Sequence, residues 1–431
     1  MEVTNSQSLI RRIDLAKESP LFFKVFALVT MGLLLDASDV YLASTTNTTI
    51  VATKFATAAQ GSAFLSAGFL GLFLGSIFAG YMGDRFGRNR IYSINLLVFG
   101  CFTILAGFSP NIQALIVFRL LASLGLGAEL VTGFSLVNEF APVAHRGRWA
   151  GAASFVANLG SPLGLLLCTL LIPRFTWRSV YFVVGALALI LWMIRRHNFP
   201  ESPRWLISQG KLDQARQLID KMEINGSYQA KPHSSATKVV HVSLKRGLFV
   251  AAFLAGTTTV VQYTFTSWVP TLLVKQGVDI AHSFLFSTIM MIGAPIGALC
   301  GAMLVDRIGR KPTIGIGFLL TAILGVTYTM QRTSTMVILI GFLLTVCMYA
   351  MNASILSVYV PELFSTKFRF RGSGYANAMG RLLNVIMPFA VVAIISRYNP
   401  NFVFYGIATL AILGSLVVTI WGPETKKHPV E

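Results

Sequence analysis

The sequence predicts an all-α membrane protein whose twelve transmembrane helices form two pseudo-symmetric six-helix bundles. Charged residues make up only 12% of the chain and hydrophobic residues 54%, whereas a soluble protein carries about a quarter charged residues. Apolar runs of about 20 residues, long enough to cross a bilayer as a helix, follow one another along the chain. A charged motif that ends an early run returns in the second half.

The repeat indicates an internal duplication. Asp84-Arg85-Phe86-Gly87-Arg88 returns 222 residues later as Asp306-Arg307-Ile308-Gly309-Arg310. Glu139 and Arg146 return as Glu362 and Arg369, 223 residues later. Two matches at nearly one spacing, about half the chain length, identify two copies of one unit.

Taken in order, the apolar runs give six spans on each side of one polar connector. The first six are 22–46, 61–83, 91–108, 112–138, 149–172 and 179–195. The second six are 246–273, 282–305, 313–330, 335–360, 373–396 and 401–421. The predicted divisions are an N-terminal segment 1–21, a first bundle 22–195, a linker 196–245, a second bundle 246–421 and a tail 422–431.

Two polar segments show weaker helical patterns. SLIRRIDLAK near the N-terminus is basic and amphipathic, which favours a position on the membrane surface. Residues 211–223 predict a short helix in the linker. In the second span, Gly68, Gly71 and Gly75 are spaced so that another helix backbone can approach closely.

The net charge of +18 is explained by an excess of Lys and Arg in the loops on one side of the membrane. Lys and Arg number 27 in the termini and alternate loops, ten of them in residues 195–246, against 6 in the intervening loops. This asymmetry places both termini in the cytoplasm, and nucleic-acid binding is not expected. We also expect no cleaved signal peptide, because twenty mostly polar residues come first and the first apolar run has no small-residue cleavage site.

The repeated loops, the six-plus-six layout and the basic linker resemble the major facilitator superfamily over essentially the whole chain. Pro200–Leu206 (PESPRWL) and Pro423–Lys426 (PETK) resemble its group of sugar porters, organic-ion carriers and synaptic-vesicle-type proteins. Asp36-Ala37-Ser38-Asp39, with Gly125–Glu129, looks most like bacterial carriers of aromatic acids and nicotinate. Those carriers typically show Asp-Gly-x-Asp, so Ala37 departs from the pattern.

Charges inside membrane helices are costly and mark substrate or proton paths. The candidate proton-coupling residues are Asp36, Asp39, Arg119 and Glu129. Asp36 and Asp39 share a helical face, and their repulsion favours a proton on one of them. Asp39 and Arg119 lie at similar heights, about seven residues from the outer ends of their helices, which predicts a pair. The resemblance implies the same, because proton-coupled members use an acid in helix one opposite an arginine in helix four.

Alternatives to these roles stay open. Asp36 and Asp39 are also consistent with an ion-paired packing device. Glu129 lies about 15 Å closer to the cytoplasm than Arg119, where it is equally consistent with a proton relay and with a helix-packing contact.

Arg381 in the eleventh span is the candidate anchor for an anionic substrate. No carboxylate in the spans of the second half is left to pair with it, and a guanidinium fork suits a carboxylate. Organic-anion carriers of the resembling group also place an arginine seven residues before a proline in helix eleven, as Arg381 and Pro388 stand here. The alternative is a pair with an acid of the first half.

Aromatic and amide side chains near the midplane are further candidates for substrate contact, although packing is the favoured explanation for each aromatic taken alone. They are Tyr41, Gln262, Tyr263, Trp268, Tyr349, Asn352 and Asn384, with Phe265 beside them. The sugar-porter signature of helix seven, a paired glutamine followed by Gly-x-Asn, is missing around Gln262. A hexose is therefore disfavoured.

The repeated loop charges predict salt bridges between helix ends, rather than only a solvated basic surface. In the resembling family such bridges lock the outward-facing state, so these residues form a predicted cytoplasmic gate. They are Asp84, Arg85, Arg88, Glu139, Arg146, Asp306, Arg307, Arg310, Glu362 and Arg369.

These features predict a monomeric secondary transporter of the bacterial inner membrane that carries a small organic anion with protons by alternating access. The alternatives are an organic-cation or sugar carrier, a drug or metabolite exporter, and a non-transporting sensor. The sensor is disfavoured because only Gly422–Glu431 follow the last span. No phosphate-binding Gly-x-x-x-x-Gly-Lys loop, catalytic cluster or metal-ligand spacing occurs. We therefore expect no enzyme activity and no cofactor other than the proton as coupling ion.

Overall fold

The structure, a computed structural model, describes residues 2–142, 145–228, 243–364 and 369–425. In these residues twelve helices are long and apolar enough to cross a membrane. The first six are α1 (Pro20–Ala52), α2 (Ala58–Phe86), α3 (Arg88–Gly107), α4 (Ile112–Phe140), α5 (Arg146–Leu171) and α6 (Trp177–Asn198). The second six are α7 (Leu244–Lys275), α8 (Ile280–Arg307), α9 (Arg310–Thr329), α10 (Ser334–Glu362), α11 (Arg369–Arg397) and α12 (Phe402–Trp421). The predicted fold class is confirmed.

Polar caps set where several spans begin. Ser19 accepts a hydrogen bond from the backbone N–H of Phe22 at 3.2 Å, one residue before Pro20 opens α1. Thr57 and Gln60 form a capping box at the start of α2. These caps satisfy N–H groups that the first helical turn leaves unpaired, so α1 starts two residues before its predicted position.

The first turns of α3 and α9 are capped alike. Gly87 and Gly309 precede them with φ of 98° and 118°, a region that only glycine enters readily. Glu201 accepts hydrogen bonds of 2.9 and 3.0 Å from the first two backbone N–H groups of α3. Glu424 accepts bonds of 3.0 and 2.9 Å from those of α9. The helix dipole favours a carboxylate at this position, which gives the two Pro-Glu motifs a physical role.

Glycines allow α2 and α4 to pack backbone against backbone. A Cβ atom on Gly75 would overlap the carbonyl group of Leu124, and one on Gly127 would overlap that of Leu72. In the second bundle, α8 lies equally close to α10, where Gly297 faces Val346. The predicted close approach at α2 therefore occurs, with α4 as its partner.

The two bundles meet along α1 and α7, α2 and α11, and α5 and α8. Ser44 donates a hydrogen bond to the backbone oxygen of Ser267 at 2.7 Å, and the hydroxyls of Thr48 and Thr271 lie 2.8 Å apart. Further bonds join α2 to α11 and α5 to α8. We call the side of the membrane where α1 begins the terminal face. These bonds all lie in the half of the spans nearer the opposite face.

The N-terminal segment and the linker pack on each other at the terminal face. Helix Glu2–Leu15 contacts helix Leu212–Met222, with Arg12 2.8 Å from Asp220. A further helix, Pro203–Ser208, was not predicted. Burial alone would raise the pKa of Glu18, but hydrogen bonds from Trp149, His145 and Tyr228 lower this pKa to about 2. Glu18 therefore keeps the charge that joins these segments.

We expect Gly75→Ala to lower the stability of the folded protein by about 1–3 kcal/mol, because the added methyl group must push α2 away from α4. Gly151→Ala, in α5 with nothing within 4 Å of its added methyl group, is the matched control and leaves stability unchanged or higher. Thermal unfolding in detergent measures both. Equal midpoints for the two variants would contradict the close packing of α2 on α4.

Candidate functional site

A buried ion pair joins α1 to α4 inside the first bundle. Nη1 of Arg119 lies 2.6 Å from Oδ2 and 2.7 Å from Oδ1 of Asp39, and the two side chains are 5% and 2% exposed. Gly68 on α2 makes room, because a Cβ atom there would press on the Arg119 guanidinium. The structure thus places the two residues predicted from their heights in direct contact. In so dry a site neither charge is stable without the other.

A cavity between the bundles lies directly beside this pair. Asp36, Asp39, Tyr263, Arg381 and Asn384 line it, together with apolar side chains of α1, α2 and α4. It offers about 40 Å³ to water-sized molecules, room for water but not for an aromatic acid. Five predicted site residues therefore line one cavity, which in this conformation is too small for such a substrate.

Arg381 faces the cavity with no acidic group of the described residues in contact with it. Its Nη1 donates to the backbone oxygen of Leu72 at 2.7 Å, and no carboxylate of the described residues lies within 4.0 Å of its guanidinium. Asn384, one turn along α11, is 1% exposed; its Nδ2 donates to Gly380, and its Oδ1 has no hydrogen-bond partner in the described residues. On this side of the cavity, α11 therefore presents a cation and an amide oxygen that can still form hydrogen bonds.

The other predicted substrate residues pair with each other or enter the core. The hydroxyls of Tyr41 and Tyr349 are hydrogen-bonded across the two bundles. Asn352 Nδ2 donates to Gln262 Oε1 at 2.5 Å, joining α10 to α7 within the second bundle. Trp268 is 3% exposed and does not line the cavity.

Irregular helix follows Asn352. Residues Ala353–Tyr359 of α10 form a π-helical segment just before Pro361. Proline has no N–H and its ring crowds the carbonyl four residues earlier, which accounts for the wider turns. Such segments are frequent at functional sites, and this one places Asn352 at the junction.

A second buried ion pair was missed by the sequence analysis. Arg195 is fully buried, and its Nη1 lies 2.7 Å from Oε1 of Glu129. The same guanidinium donates to the backbone oxygen of Leu28 at 2.7 and 3.2 Å and lies 4.1 Å from the Tyr92 ring centroid. The predicted sixth span 179–195 ends on Arg195, but counting its charge with the loop 195–246 was wrong, because its side chain reaches inward from the last turn of α6.

One signal could have revealed the inward position of Arg195. Buried residues recur along α6 at helical spacing, at Val184, Ala188, Leu191 and Arg195. Glu129 joins α4 to α6 within one bundle. Its other oxygen, Oε2, has no hydrogen-bond partner in the described part of the chain. Of the two roles left open for Glu129, these contacts favour helix packing.

The loop charges form matching bridges within each bundle. Arg88 pairs with Glu139 between α3 and α4, and Arg310 lies 2.8 Å from Glu362 between α9 and α10. Asp306 lies 3.1 Å from Arg310, on the next helix.

The remaining predicted gate residues are less uniform. Arg146 lies 3.3 Å from Asp14 of the N-terminal helix, and the Arg85 guanidinium lies 5.4 Å from the Phe86 ring centroid. Arg307 ends α8. The side chains of Asp84 and Arg369 lie outside the described residues. Locking of an outward-facing state by these residues stays a prediction.

Residues 25–431 match the family described as Sugar (and other) transporter. The chain belongs to this family of the major facilitator superfamily. It is 31% identical to the inner membrane metabolite transport protein YdjE of Escherichia coli over 97% of each chain. It is 30% identical to the niacin transporter NiaP of Acinetobacter baylyi over 98% of this chain and 99% of the relative.

A crystal structure of the D-xylose-proton symporter shows the same fold, with a TM-score of 0.75 at 20% identity, covering 94% of this chain and 99% of that chain. The prediction of a transporter rather than an enzyme is confirmed by these relatives. The protein is an integral membrane transporter, and its described residues contain twelve helices fit to span a bilayer. Its partners therefore include a small-molecule substrate and the bilayer.

Removing one member of the Glu129–Arg195 pair should destabilise the protein far more than removing both. Arg195→Ala leaves a buried carboxylate uncompensated, which costs about 3–5 kcal/mol. The double variant Glu129→Leu with Arg195→Met buries no charge and should recover most of that loss. Thermal unfolding of the purified variants measures the difference; a double variant as unstable as the single one would argue against a stabilising pair.

Proposed function

We propose that this transporter moves a small organic anion, a monocarboxylate such as an aromatic acid or nicotinate, into the cell together with protons. The observation that carries the proposal is Arg381, a cation at the central cavity with no carboxylate within 4.0 Å among the described residues. A guanidinium in this setting favours an anionic ligand. Similarity to a transporter named for niacin, a pyridine carboxylate, supports the same class.

Proton coupling is assigned to Asp39 and Arg119. A proton on Asp39 removes the charge that holds the Arg119 guanidinium, so the pair opens and closes with protonation. Because the pair adjoins the cavity of Arg381, a bound anion acts on it over a short distance. The two bundles then rock about this site. No cofactor other than the proton takes part.

The proposed topology places the terminal face in the cytoplasm, from the excess of Lys and Arg in the loops on that side. Counting Arg195 with the interior leaves this asymmetry intact. The protein works as a monomer in the bacterial inner membrane and binds no nucleic acid.

The second candidate is a sugar or organic-cation carrier in which Asp36 and Asp39 hold the substrate. The family description and the Gln262–Asn352 amide pair favour it, because amides suit hydroxyl groups. Against it, Asp39 is already neutralised by Arg119. Uptake of labelled xylose or tetraethylammonium by proteoliposomes, with no uptake of nicotinate or benzoate, would favour this candidate over the anion carrier.

Asp39→Asn should abolish uphill accumulation of labelled nicotinate or benzoate in proteoliposomes under an inward proton gradient, since the pair no longer responds to protons. Exchange of labelled for unlabelled anion at equal pH should continue. Wild-type accumulation that an uncoupler removes is the reference. Accumulation by the variant at the wild-type level would exclude Asp39 as the coupling residue.

Arg381→Ala should weaken anion binding by about 10- to 100-fold, the range expected for loss of a charged hydrogen bond. Arg381→Lys keeps the charge without the planar fork, so its anion affinity should lie between those of the wild type and Arg381→Ala. Uptake kinetics on variants with unchanged thermal unfolding measure this effect. An unaltered apparent affinity in Arg381→Ala would remove Arg381 from the substrate site.

A further inference from the structure

Asp36 and Arg381 differ from the other charges inside the described spans. Each lies at the central cavity, and neither has an opposite charge within 4.0 Å among the described residues. The other buried acids of the described residues, Asp39, Glu129 and Glu139, each form an ion pair with an arginine. Asp36 is only 8% exposed, so its carboxylate meets little water.

The charged and titratable groups close enough to act electrostatically on Asp36 come from four helices. They are Asp39 on α1, Arg119 and Glu129 on α4, Tyr263 on α7 and Arg381 on α11. Asp39 and Glu129 are each within 2.7 Å of an arginine, so their charges are already balanced. The charge that remains to balance Asp36 is that of Arg381, across the cavity.

An anion that binds Arg381 changes this balance. Its carboxylate neutralises the guanidinium at contact distance, and Asp36 is then a buried carboxylate without a counter-charge. A buried unpaired charge is so costly that the group neutralises instead. The neutral form of an aspartate is its protonated acid.

We propose that the carboxylate of the transported anion replaces Asp36 as the counter-charge of Arg381 and that Asp36 takes up one proton as it does. This inference rests on the proposed function. The anion stays ionised and Arg381 keeps its protons; one proton from solvent forms an O–H bond on Asp36. The net charge at the cavity is the same before and after binding.

Two consequences follow from this exchange. Binding itself consumes a proton, separately from the proton that opens the Asp39–Arg119 pair. If both protons travel with the anion, each cycle carries one net positive charge inward, and the membrane potential drives uptake of a monocarboxylate.

The test measures the affinity of the purified full-length protein for benzoate by isothermal titration calorimetry across the neutral and alkaline pH range, where benzoate stays ionised. Uptake of one proton predicts that the Kd rises about tenfold per pH unit wherever Asp36 is ionised in the free protein. Asp36→Asn should bind without this dependence. Asp36→Glu, which restores a titrating group, should regain it.

Asp279→Asn is the control, because it removes an exposed carboxylate just before α8 that does not line the cavity, and it should keep the slope. A pH indicator in weakly buffered solution should also report one proton taken up per benzoate bound by the wild type. A slope that survives in Asp36→Asn, or that disappears in Asp279→Asn, would overturn the inference. So would wild-type binding without proton uptake.

Failure of the proposed function looks different. Wild-type protein that binds neither benzoate nor nicotinate at any pH would refute the anion carrier itself, and this inference with it. Binding that lacks a pH slope would refute only the exchange at Arg381 and leave the anion carrier standing.

Discussion

Asp39 and Arg119 face each other at a depth where neither meets bulk water, and each keeps its charge because the other is present. Desolvation costs several kcal/mol per ion in such a place. The same constraint accounts for Arg195, which reaches from the last turn of α6 to Glu129. It also makes Arg381 informative, because the proposal of an anionic substrate rests on this cation having no carboxylate within 4.0 Å among the described residues.

The close-packed glycines serve these charges as well as the helices. Gly68 leaves space for the guanidinium of Arg119, and Gly32 leaves space for that of Arg195. A side chain at either position would displace the arginine from its acid. Helix packing and ion pairing in the first bundle therefore depend on each other. The close approach that glycine allows on α1 and α2 also leaves each arginine within reach of its acid.

Apolar runs and the internal repeat were enough to predict the twelve spans, because both are local patterns. The Asp39–Arg119 contact could be predicted from two heights, since each helical residue rises by about 1.5 Å and residues equally far from the same membrane face lie at equal depth. Arg195 escaped because it ends an apolar run beside Arg196, where composition cannot tell an inward from an outward side chain. The Gln262–Asn352 bond depends on the rotation of α7 against α10, which no local pattern records.

The capping glutamates carry a consequence for how the chain is made. Glu201 and Glu424 follow the sixth helix of their bundles, yet each closes the first turn of the third. A half is therefore incomplete until its last helix and the next few residues have left the ribosome. Once Glu201 emerges, the first turn of α3 can be capped from within the first half. It can close as a unit while the second half is still being synthesised, in keeping with domain-by-domain folding from the N-terminus.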